Sequence, residues 1–351
     1  MKKPRMLSAH IGGKKARRRQ RARLAVRWLL RGALAAGMLS LGFLITETML
    51  RISELPLETT ATTVQTTIQT ETTIPPRPES PPLKTFYVPL GMMDNREQSR
   101  QLMAQIAQAK TDTAVMLFKD SSGYLSYKSN LMQMSLLGAS QRTRWRTDWT
   151  LYDLKNRSKQ RILGVIHCFD DPLAASLMPN GAALLRETDT VPWKDAQGRA
   201  WLNPYAESSR EYLLAVIREV RAFGADDLLL CGVQFPEGNL EAAVFPGESA
   251  APPERLAVER AGVLRSFLQE AKRAAGEGTL YVMVTPAQDA LPGMRETYAA
   301  ADIVAVDMRG LPWTGDEAYW RARVPVLDSP EAAAALRDCI VMKEENLQAR
   351  Y

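Results

Sequence analysis

Eight short apolar runs punctuate the chain between residues 85 and 342, and they constrain its fold more than any other feature. They are TFYVPL (85–90), TAVMLF (113–118), RILGVIHC (161–168), DLLLCGV (227–233), TLYVMV (279–284), DIVAV (302–306), VPVL (324–327) and CIVM (339–342). Their apolar residues are consecutive rather than alternate, and many are β-branched, as in strands buried on both faces. Between the runs the periodicity becomes helical. Leu213, Val216, Ile217, Val220 and Phe223 share a face over 207–223. Leu256, Val263, Leu264, Phe267, Leu268 and Ala271 do the same over 254–272. Pro252-Pro253-Glu254 marks a helix start, and Phe223-Gly224 a helix stop before the fourth strand. Strands alternating with helices over this length predict a (β/α)8 barrel, an α/β fold. An open doubly wound sheet is the runner-up. The chain has neither a GxGxxG nor a GxxxxGK-Ser/Thr phosphate loop to support it. Residues 170–206 form a long excursion after the third strand, where function tends to sit.

Charge divides the chain. Twelve of its 45 Lys and Arg lie in residues 1–46, which hold no acid; all 39 acids come later. The formal charge of +6 therefore conceals a net acidic body. A basic tail on a mildly acidic domain argues against nucleic acid as the domain's partner. The tail leads into WLLRGALAAGMLSLGFLIT (28–46), which reads as one transmembrane helix. Arg31 extends the usable span by reaching back to the headgroups. The bias of bases puts the tail in the cytoplasm and the remainder outside the cell membrane. A cleaved signal peptide is the competing reading, but ITETMLRISEL lacks a small-x-small cleavage site. Nine threonines between Thr59 and Thr73, then PPRPESPP, read as a linker too polar to fold. The expected organisation is a tail (1–27), a transmembrane helix (28–46), a disordered linker (47–83) and a barrel (84–351).

Strand ends are where barrel chemistry is placed. Those positions give Lys119 and Asp120; His167, Asp170 and Asp171; Cys231, Gln234 and Glu237; Thr285 and Gln288; Asp307 and Arg309; Asp328; and Lys343 with Glu344. The excursions add Trp193, Trp201, Tyr205 and Trp313. Acids with aromatic faces suit sugars, because carboxylates do the acid–base work on glycosidic bonds and rings stack on sugar faces. Structural readings stand beside these. Asp120 lies in KDSSG, a turn sequence. Asp171-Pro172 fits a helix cap. Trp193 and Trp201 flank Asp195–Gly198, which looks like a hairpin turn, and can simply pack across it. His167 is accompanied only by His10 in the tail, which argues against a Ser-His-Asp site and a multi-histidine metal site. Cys168, Cys231 and Cys339 have no metal spacing and read as buried apolar residues, not a disulfide framework. No metal or cofactor is expected.

Four segments resemble a known family: VMLFKDSSGYLSY (115–127), ILGVIHCFDDPLAA (162–175), WKDAQGRAWLNPY (193–205) and FGADDLLLCGVQFPEG (223–238). In order and spacing they are similar to the bacterial "putative glycosyl hydrolase" domain family, a barrel family distantly similar to alpha-amylase-like glycoside hydrolases. The resemblance covers most of residues 84–310. Lys119, Asp120 and Asp171-Pro172 match its pattern, and Asp120 and Asp171, with Glu237 in reserve, are the catalytic candidates that remain. Lys119, Trp193, Trp201, Asn203, Tyr205 and Gln234 are the corresponding substrate-binding candidates.

Departures from the family pattern are concentrated at the fourth run. Its F-D-Y-V-R-F-P reads Leu230-Cys231-Gly232-Val233-Gln234-Phe235-Pro236, so the strand-end Asp is Cys231 and the Arg is Gln234. The first Asp of the second-strand motif is Leu117, the third-strand Arg is Val165 or a neighbour, and VMVTP supplies no acid at the fifth run. Glycoside hydrolysis normally needs two carboxylates. The expectation is a membrane-anchored domain that binds or processes cell-surface or wall polysaccharide with weakened or lost catalysis. An active glycosidase using Asp120 and Asp171 and a purely structural surface protein are the alternatives.

Overall fold

Consecutive apolar residues at each run produce strands that are covered on both sides. In chain order the strands are β1 (Thr85–Tyr87), β2 (Thr113–Lys119), β3 (Arg161–His167), β4 (Leu184–Leu185), β5 (Asp227–Cys231), β6 (Ala243–Val244), β7 (Leu280–Val284), β8 (Ile303–Asp307), β9 (Arg323–Leu327) and β10 (Ile340–Val341). All eight expected runs belong to one parallel sheet, ordered β1-β2-β3-β5-β7-β8-β9-β10. The computed structural model describes residues 82–347, apart from 140–145, 239, 292, 313–316, 335 and 346. The expected tail, transmembrane helix and residues 47–81 of the linker lie outside the described residues, as does Trp313. Among the described residues, no helix is long and apolar enough to cross a membrane.

The sheet returns on itself. Lys84 bridges Cys339 in parallel. Thr85 Oγ1 donates to the Cys339 carbonyl at 3.1 Å and accepts from the Val341 N–H at 2.7 Å. First and last strands are thus joined, and the result is an eight-stranded parallel α/β barrel. Every position of β2, β5 and β9 is buried.

The helices are α1 (Arg96–Ala109), α2 (Met132–Leu137), α3 (Thr147–Asn156), α4 (Pro172–Leu177), α5 (Glu207–Phe223), α6 (Pro253–Ala275), α7 (Pro286–Asp289), α8 (Met294–Tyr298), α9 (Glu317–Trp320) and α10 (Pro330–Ala333). The two long helices have the expected bounds within three residues and bury the expected stripes. Leu213, Val216, Ile217 and Val220 of α5 and Leu264, Phe267, Leu268 and Ala271 of α6 are all buried. Each large apolar side chain among them stabilises the fold by about 1.5–3 kcal/mol. The three cysteines are free and buried, as their sequence context suggests.

The excursion after β3 carries α4 and β4. It folds onto itself as a hairpin in which Lys194 bridges Ala200 antiparallel and the Gly198 N–H reaches the Asp195 carbonyl at 2.9 Å. β4 pairs antiparallel with β6, a two-residue strand in the loop after β5. These additions therefore lie at the C-terminal ends of β3 and β5.

Candidate functional site

Lys119, Asp120 and Asp171 sit at or beyond the ends of β2 and β3, as expected, but deep inside the protein. Lys119 and Asp171 are fully buried and Asp120 is 1% exposed. Asp171 Oδ1 caps α4 by accepting from the Ala174 N–H at 2.8 Å. Its Oδ2 accepts from the Tyr212 hydroxyl at 2.8 Å and meets Lys119 Nζ at 2.9 Å. The same Nζ donates to the His167 carbonyl at 2.8 Å, so the ammonium ties β2 to β3. Asp120 closes the KDSSG turn: Oδ1 accepts from the Ser122 and Tyr124 N–H groups at 3.0 and 2.9 Å. Its Oδ2 accepts from the Leu347 N–H at 2.7 Å, fastening the segment after β10. Burial pushes the Asp120 carboxyl up, against the hydrogen bonds from Leu347 and Tyr124. Gly123 has φ +89° here, and a Cβ on it would lie 2.2 Å from Asp171 Oδ1. The turn and the cap are fitted to one another.

The aromatic candidates are equally committed. Trp193 is 6% and Trp201 5% exposed. Trp201 Nε1 donates to Asp195 Oδ2 at 2.9 Å, across the hairpin turn. Buried Asn203 holds two loops together, donating to the Pro246 carbonyl at 2.9 Å and accepting from the Tyr205 N–H at 3.0 Å. The half-buried Tyr205 ring packs on Phe235, with centroids 5.5 Å apart.

Gln234 and Glu237 are brought together by a residue on another element. Gln288 of α7 donates from Nε2 to Gln234 Oε1 and, at 3.0 Å, to Glu237 Oε1. Gln288 is itself oriented by the α7 capping box, where its Oε1 accepts from the Thr285 N–H at 2.9 Å. The three side chains form a polar bridge between the loops after β5 and β7, with Glu237 exposed to solvent.

Two further pairs stand at strand ends. His167 Nδ1 lies 2.7 Å from Asp170 Oδ2, and the two side chains are 18% and 12% exposed. Arg309 grips Asp307 with two guanidinium nitrogens, Nε to Oδ1 at 2.8 Å and Nη2 to Oδ2 at 2.7 Å. Their exposures are 18% and 19%. Strand register relates these pairs. His167 is the partner of Cys231, Cys231 Sγ lies 3.9 Å from Met283 Sδ, and Met283 is the partner of Ala305. Asp307 follows Ala305 by two residues and so projects from the same side of β8. His167, Cys231 and Asp307 thus project to the same side of the sheet at its C-terminal end.

Electrostatics follow this geometry. Burial raises the Asp170 carboxyl, but the His167 charge and hydrogen bond, with Lys119, outweigh it and hold the group below the usual carboxylate range. Burial pushes the Cys231 thiol well above its ordinary value, with Asp170 adding to the rise, so it is no thiolate. The hydrogen bonds that Arg309 donates to Asp307 raise its guanidinium further.

Gly232 makes this arrangement possible. It has φ +62°, and a Cβ there would lie 2.0 Å from Asp170 Oδ1. The glycine after Cys231 is the sequence signal that a neighbouring side chain crosses the end of β5. The D-x-R spacing at the end of β8 signals the second pair. Among the described residues, no cluster of His, Cys, Asp and Glu could hold a metal ion.

Residues 85–285 match the model of a family described as "Putative glycosyl hydrolase domain". None of the curated proteins compared matches the chain. Among solved structures, a hypothetical protein from Ruminiclostridium thermocellum is similar at 21% identity and TM-score 0.48, covering 56% of this chain and 96% of that one. The glycoside hydrolase domain of PgaB (BpsB) from Bordetella bronchiseptica is similar at 11% identity and TM-score 0.49, covering 70% and 84%. An alpha-galactosidase from Thermus thermophilus is similar at 17% identity and TM-score 0.38, covering 59% of this chain and 41% of that one.

Proposed function

We infer a carbohydrate-directed function for this chain from one premise: it belongs to the "Putative glycosyl hydrolase domain" family. The domain binds polysaccharide at the mouth of its barrel, and the motif carboxylates of the second and third strands serve the fold. One observation carries this reading. Every oxygen of Asp120 and Asp171 accepts from a protein donor, while the polar pairs at the ends of β3 and β8 stay partly exposed. A carboxylate with both oxygens occupied and no exposure cannot reach a glycosidic bond. Gln234 and exposed Glu237, held by buried Gln288, present amide and carboxylate groups of the kind that recognise sugar hydroxyls.

The reading extends to location. The basic tail and apolar segment 28–46 hold the barrel outside the cell membrane on a threonine–proline spacer, within reach of cell-surface or wall glycan. Two measurements test this. Full-length chain applied to a glycan array binds at least one polysaccharide class. A folded chain that binds none removes the reading. Protease added to intact expressing cells digests the barrel and spares the N-terminal tail; a barrel that survives until lysis removes the topology.

A further inference from the structure

We propose that the mouth holds a rebuilt hydrolytic centre, in which His167 protonates the glycosidic oxygen and Asp307 activates the attacking water. The proposal rests on the binding reading for its site and goes beyond it in assigning chemistry. The end of β5 carries Cys231 and Gln234 and no carboxylate. An arginine-held carboxylate nonetheless stands at the same face of the barrel, at the end of β8, as Asp307 and Arg309. An Asp-held imidazole stands on the other side of Cys231, at the end of β3.

Each pair has the form that proton transfer needs. Asp170 faces Nδ1 of His167 at 2.7 Å, which fixes the ring. Among the described residues no hydrogen bond reaches Nε2, so that nitrogen is the one presented to a ligand. Arg309 aims the Asp307 carboxylate: Oδ1 accepts from its backbone N–H and Nε, and Oδ2, which accepts from Nη2 alone, keeps a lone pair for a water. Both pairs are partly exposed, unlike Lys119, Asp120, Asp171 and Cys231.

The reaction balances. The Nε2 proton of the imidazolium passes to the glycosidic oxygen as the bond from the anomeric carbon to that oxygen breaks. Water adds to the anomeric carbon and gives a proton to Asp307. One water is consumed and two hydroxyl-bearing products leave. Protons return from Asp307 and to His167 through solvent. Direct attack by water, with no covalent intermediate, inverts the anomeric centre.

The test uses the full-length chain and each polysaccharide that it binds on the array. New reducing ends appear, and the first product seen by NMR has inverted configuration. Asp307→Asn lowers turnover by about 10²–10⁴-fold with binding kept. His167→Ala and His167→Gln lose as much on the polysaccharide but retain turnover of the 2,4-dinitrophenyl glycoside of the same sugar, whose leaving group needs no acid. Asp170→Asn, a positioning change, shifts the pH profile of turnover. Circular dichroism melting of each variant separates loss of folding from loss of chemistry. Binding without reducing ends overturns this proposal and leaves the binding reading intact. So does full turnover by a folded Asp307→Asn, or retention of configuration. Absence of any glycan binding removes both.

Discussion

Asp171 and Lys119 neutralise one another where solvent does not reach, and that position decides what they do. A buried ion pair broken on one side leaves the other charge without compensation. Asp171→Ala is expected to cost about 3–5 kcal/mol, read as a lower urea midpoint with unchanged slope. Asp307→Asn, with partly exposed partners, is expected to change that midpoint far less. Asp170 gives the pH dependence. Its folded-state carboxyl is held below the ordinary range, so folded protein binds that proton less readily than unfolded chain. The stabilisation is fully present above the unfolded value, near pH 4, and is lost as pH falls through the lower folded value. Acid titration of stability should therefore fall more steeply for the native chain than for Asp170→Asn. The opposite order would contradict the assignment. The Asp171 cap and the Asp120 turn were legible in the sequence because both are local, with partners two to four residues away. The pairing of His167 with Asp170 depends on room made by Gly232 on a different strand, and no local pattern announces it.

At the scale of elements, the hairpin of residues 193–201 separates packing from recognition. Its tryptophans are buried, and Trp201 is fastened to Asp195. Trp201→Phe removes that hydrogen bond and should cost about 1–2 kcal/mol in thermal or denaturant unfolding. Glycan affinity should stay within the error of measurement, since no ring face is offered to a sugar. A large loss of affinity in a fully folded Trp201→Phe protein would restore the hairpin as a binding surface. All eight barrel strands were readable, because strands buried on both faces leave unbroken apolar runs. β4 and β6 pair antiparallel within the loops after β3 and β5, outside the alternation of strand and helix that marks the barrel. The pairing of buried Arg323 with Asp289, at 2.8 Å, was equally invisible, since it joins the start of β9 to α7 across 34 positions.

The whole molecule sets polar chemistry at one end of a closed sheet. β3, β5, β7 and β8 contribute their C-terminal ends, and the loops after β3 and β5 are tied together by β4 and β6. The candidate site was legible as a set of strand ends, because the barrel dictates where chemistry lies. Which members face the mouth was not legible, because burial depends on how helices and loops cover each end. Asp120 and Asp171 were covered, while the pairs at β3 and β8 remained partly open. Glycan binding at this mouth is tested by the dissociation constant of the array-positive polysaccharide for full-length chain and for the Gln234→Ala, Arg309→Ala double variant. A loss of about tenfold or more, equal to about 1.4 kcal/mol, is predicted for the folded double variant. An unchanged dissociation constant would contradict the account.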